Sequence, residues 1–68
     1  ANLIEEAIEV FKINVMNFKK SYNFYDSLGE AYFLVGNIDA ALKNYEMSLD
    51  INPKNQNAKD MISKIKAE

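Results

Sequence analysis

Sixty-eight residues make one small domain, near the lower size limit for folding without staples. The chain has no cysteine and no histidine, which removes disulfides, thiolate metal sites and the commonest general base. The net charge is −2 and all eight basic residues are lysines, so no arginine fork is offered to phosphates or guanines, and a nucleic-acid role is not expected. No apolar run approaches the ~20 residues that span a bilayer, so no membrane role is expected either. The acidic start, with Glu5 and Glu6, is unlike a signal peptide. Zero cysteines fits any compartment, with the cytoplasm as the default.

The first helical pattern runs over 3–19. Ile4, Ile8, Phe11, Val15 and Phe18 step by four and three along one face. Glu5, Glu6 and Glu9 suit the positive end of its dipole, and Lys19 and Lys20 are placed at its negative end. Ser21 is positioned to cap a second helix over 22–35, carrying Tyr25, Leu28, Gly29 and Tyr32 on one side. Gly29 in mid-helix costs about 1 kcal/mol relative to alanine. It implies that another helix comes too close for a side chain. Gly36 ends this helix and Asn37 caps a third, over 38–51, with Ala41, Leu42, Tyr45, Leu49 and Met47 as its apolar residues. Asn52 before Pro53 closes it. Asn55 caps a fourth helix, over 55–67, with Ala58, Met61, Ile62 and Ile65 facing inward. Turns this short make neighbouring helices antiparallel.

The order Tyr25, Leu28-Gly29, Tyr32, Ala41, Tyr45 and Pro53 resembles one tetratricopeptide repeat, with tyrosine in place of the usual first tryptophan. Ala7 and Ala41 are 34 residues apart, as are Phe11 and Tyr45, and 34 is that repeat's length. The first helix therefore looks like the second half of a preceding repeat, although Lys19 stands where a proline is usual. The fourth looks like a polar, capping version of a repeat's first helix. The resemblance implies an all-α, right-handed solenoid fragment of about four helices, forming a single domain over 1–68 with one complete repeat over 22–55.

No arrangement of residues supports catalysis. Ser21, Ser27, Ser48 and Ser63 have no partner base, and neither glycine belongs to a phosphate-binding loop. The acidic residues lack the alternating spacing of a calcium loop. No enzyme activity, cofactor or metal is expected. The resemblance implies a scaffold that binds a protein or peptide in a helix-lined groove. Carried over by motif, that groove is Asn23, Asp26, Glu30, Phe33 and Leu34 of the second helix, continued by Asp60 and Lys64 of the fourth. Asp26 and Glu30 suit a basic partner and Phe33 an apolar one, while charged helix faces are more often only solvated. The missing half repeat leaves a second surface, with Ile4, Phe11 and Val15 as self-association candidates for a homodimer. The alternative is an appendage that orients or oligomerises a larger bacterial hydrolase. A piece cut from a longer array is also consistent with the start at Ala1.

Overall fold

The computed structural model describes residues 3–67, which form four helices and, among the described residues, no strand. The helices are α1 (Leu3–Asn17), α2 (Tyr22–Leu34), α3 (Ile38–Ile51) and α4 (Gln56–Ala67). Each packs on the next in sequence, and the α2–α3 contact is the most extensive. The result is a slab of 30 × 28 × 14 Å, thin enough that every helix keeps one side near solvent.

Local chemistry places the boundaries. α2 ends in a Schellman motif: the Asn37 N–H donates to Tyr32 O at 2.9 Å, and the Gly36 N–H donates to Phe33 O at 3.1 Å. Gly36 takes φ +84°, which only glycine adopts without strain. Asn37 then caps α3 by accepting from the Ala40 N–H, and Asn55 caps α4 by accepting from the Ala58 N–H. Asn52 braces the turn between them, accepting from the Lys54 N–H.

Several expectations shift. α1 stops at Asn17, so Lys19 and Lys20 lie in the turn beyond it rather than in its last turn. Phe18 leaves the inner face with them and is exposed, resting 5.8 Å from the Phe24 ring. Ser21 occupies the position before α2 but its hydroxyl makes no capping bond. Val35 is the C-terminal cap of α2 rather than part of it. Met47 is exposed rather than part of the core.

Two apolar clusters form the interior. In one, Ile8 of α1 meets Leu28 and Ala31 of α2, with Ile4, Phe11 and Val15 around them. In the other, Ala41 and Tyr45 of α3 meet Ala58 and Ile65 of α4, with Leu42, Leu49, Met61 and Ile62 at its edge. Tyr32 packs against both and joins them. Gly29 is explained by the second cluster. A Cβ there would lie 3.2 Å from three atoms of the Tyr45 ring, a ring that is itself 1% exposed and has nowhere to retreat.

Gly29→Ala is therefore expected to destabilise the chain, despite the gain of about 1 kcal/mol in helix propensity. Paired with Tyr45→Leu, which removes the ring, the same alanine is expected to stabilise relative to Tyr45→Leu alone. Urea unfolding of all four proteins measures this. An alanine that stabilises both backgrounds equally would show that the ring does not set the helix spacing.

Candidate functional site

α2 and α4 present the expected groove, and hydrogen bonds within the chain already occupy part of it. Asp26 accepts from Asn55 Nδ2 at 2.9 Å and from Asn57 Nδ2 at 2.8 Å. Asn55 Nδ2 also donates to Ser48 Oγ at 2.8 Å, and that hydroxyl donates to the Tyr22 carbonyl at 3.0 Å. Ser48 is fully buried and Asn55 nearly so, and neither leaves a buried polar atom unpaired. Such a chain of satisfied bonds costs little to bury and holds its members in one arrangement. Asp26 thus ties α2 to the start of α4. Ser48 carries a hydrogen bond between α3 and α2.

The remaining groove residues divide in two. Phe33 is half-buried against the Ala41 cluster, and Lys64 Nζ stands 5.5 Å from its ring centroid, a cation–π distance. Asp60 accepts from Gln56 Nε2 one turn back on α4. Asn23, Glu30 and Leu34 are exposed. Glu30 and Leu34 border a cleft of ≈ 240 Å³ between α1 and α2, whose walls include Ile4, Ala7, Phe11 and Ala31. The cleft joins part of the groove set to part of the self-association set, which the sequence had placed on separate surfaces. A second hollow of ≈ 440 Å³ lies on another side of α1, among Glu5, Glu6, Glu9, Tyr32 and Val35.

Electrostatically the groove side is acidic around Tyr45. Burial pushes the Tyr45 hydroxyl up to about 12, and the Asp26 and Glu30 carboxylates push it in the same direction. The cleft is apolar apart from Ser27 and Glu30. Among the described residues no group of three or more acidic side chains is placed to hold a metal ion. No described helix is long and apolar enough to cross a membrane.

The 34-residue period gives the cleft its meaning. Ala41, Tyr45 and Ser48 on α3 are all fully covered, with α2 on one side and α4 on the other. Their counterparts on α1 are Ala7, Phe11 and Asn14, and all three are only half-buried. α2 covers α1 as α4 covers α3, but among the described residues no helix covers α1 as α2 covers α3.

A family model for the tetratricopeptide repeat matches residues 27–55, which run from the middle of α2 to the cap of α4. No curated protein and no solved structure matches the chain.

Asn55 is expected to be structural rather than ligand-binding. Asn55→Asp keeps a capping oxygen for α4 but sets a carboxylate against Asp26. Asn55→Ala loses the cap and both side-chain donations, at about 1–3 kcal/mol. Both variants should unfold at lower urea concentration, and only Asn55→Asp should regain stability as acid neutralises the pair. Unchanged stability in Asn55→Ala would show that Asn55 does not brace the start of α4.

Proposed function

We propose, for a chain whose residues 27–55 match a tetratricopeptide repeat model, that it is a non-catalytic interaction module whose partner seats in the cleft between α1 and α2. Modules of this family generally bind proteins or peptides, and typically act as scaffolds without chemistry of their own. The observation that carries the location is the half-burial of Ala7 and Phe11 beside full burial of Ala41 and Tyr45. Apolar surface left open at one position of an internal repeat, and closed at the equivalent position, is a surface built to be covered.

The walls specify the partner's chemistry. Ile4, Phe11, Ala31 and Leu34 favour an apolar face, and Glu30 favours a cation at its edge. An amphipathic helix with a lysine beside its apolar stripe meets both demands, and groove-bound helices are a recurring mode of recognition. Asn23 and the Asp60–Lys64 side of α4 would contact only a partner long enough to leave the cleft. Asp26 and Phe33, engaged within the chain, contribute shape rather than contacts.

Titration with such a helical peptide, followed by amide shifts, tests the reading. The largest shifts are expected at Phe11, Ala31 and Leu34, and Glu30→Lys should weaken binding by about three- to tenfold, in a salt-sensitive way. Shifts centred on Phe33 and Asp60 instead, or none with any apolar helix, would refute the cleft as the binding surface.

A further inference from the structure

Two contacts seat α2 on α3. Gly29 brings its backbone against the Tyr45 ring, where a Cβ would stand 3.2 Å from three ring atoms, and the Tyr22 carbonyl accepts from Ser48 Oγ at 3.0 Å. The higher number on α2 meets the lower number on α3, so the two helices run antiparallel. α1 carries both receiving groups 34 residues earlier: Phe11 stands at the position of Tyr45, and Asn14 at that of Ser48. Phe11 lines the cleft. Asn14, one turn further on the same side, is half-buried, and among the described residues its side chain makes no hydrogen bond. The flat ring and the hydrogen-bond donor that receive α2 on α3 are thus repeated on α1, where they receive nothing.

We propose that the cleft takes a partner helix of one pattern: a glycine or alanine over Phe11, a main-chain carbonyl two turns earlier over Asn14, and a lysine one turn later beside Glu30. This direction and register rest on the reading of the cleft as the binding surface. A helix set on α1 as α2 is set on α3 runs antiparallel to α1 and parallel to α2. It therefore ends beside Glu30 and Leu34, which lie in the last turns of α2. The interval between carbonyl and small residue is that between Tyr22 and Gly29, seven residues or about two helical turns. The small residue is required because phenylalanine offers the same flat ring as tyrosine, and a longer side chain would meet it as a Cβ at Gly29 would meet Tyr45. Charge agrees with this direction. Glu30 stands by the partner's last turns, where a lysine suits the helix dipole. Lys19 and Lys20, in the turn before α2, stand by its first turns, where acidic residues suit the dipole. Residues 10–25 include no acidic side chain, so that end of the α1–α2 pair is basic.

Titration of the 68-residue chain with synthetic amphipathic helical peptides, read by affinity and by amide shifts, tests the pattern. The reference peptide has an acidic first turn, a glycine where α2 has Gly29, and a lysine four residues later. Replacing that glycine by leucine should weaken binding at least about tenfold. Reversing the order of residues should weaken it at least as much, by turning both charged ends against the cleft. Asn14→Ala should keep the helical circular dichroism and weaken the reference peptide about two- to tenfold. Phe11→Ala should narrow the gap between the glycine and leucine peptides, and the peptide comparisons decide the matter on the unaltered chain if that variant unfolds. A leucine or reversed peptide that bound as tightly as the reference, with shifts still centred on Phe11, Ala31 and Leu34, would overturn the register and leave the cleft standing. Binding by none of the peptides would overturn the cleft reading as well. Self-association of the chain that displaced the reference peptide would make a second copy the occupant and overturn the proposal.

Discussion

The flat ring of Tyr45 lies where a side chain at position 29 would have to go. That exclusion sets how closely α2 and α3 approach, and much of the structure depends on the distance. At this spacing Ser48 reaches the Tyr22 carbonyl, and Asn55 reaches both Ser48 and Asp26. Those bonds fix where α4 starts. α4 then completes the cover of Tyr45 through Ala58 and Ile65. A helix-breaking residue in mid-helix thus contributes more through the contact it permits than it costs in propensity.

Much of this was legible in the chain. Apolar spacing located all four helices to within a residue or two, because stripes at steps of three and four have no other regular use. Gly36, Asn37 and Asn55 were readable as punctuation, since each supplies a conformation or an oxygen that a helix end needs. Gly29 announced a close approach, although not that the approaching group was Tyr45. The errors fell where local signals compete. Ser21 stands in the capping position without making the bond, and Phe18 continues the apolar stripe just past the point where the backbone turns.

The site was less legible because its chemistry is non-local. Asp26 was read as an acid facing a partner, while its hydrogen-bond partners lie 29 and 31 residues away. No local pattern marks such a pairing. Phe33 is held by the Ala41 cluster and by Lys64, which belong to α3 and α4. An open side on α1 was an expectation drawn from the repeat period. Ile4, Phe11 and Val15, named for it, pack against the Ile8–Leu28–Ala31 cluster and are half-buried, whereas the outermost apolar residues are Leu3, Val10, Ile13 and Met16. The inner row follows a regular stripe and is easily seen. The outer row emerges only once the inner row is known to be occupied.

The same helix type therefore occurs twice in two conditions. α3 is enclosed between α2 and α4, while α1 rests on α2 alone. Local stability follows cover, so α1 should open more readily than α3 until something closes its free side. Amide hydrogen exchange with and without an apolar helical peptide tests this most directly. The expected result is fast exchange in α1 and slow exchange in α3 for the chain alone, with protection rising in α1 when the peptide binds. Equal protection of α1 and α3 in the chain alone, unchanged by the peptide, would contradict the claim that α1 has an open side for a partner to cover.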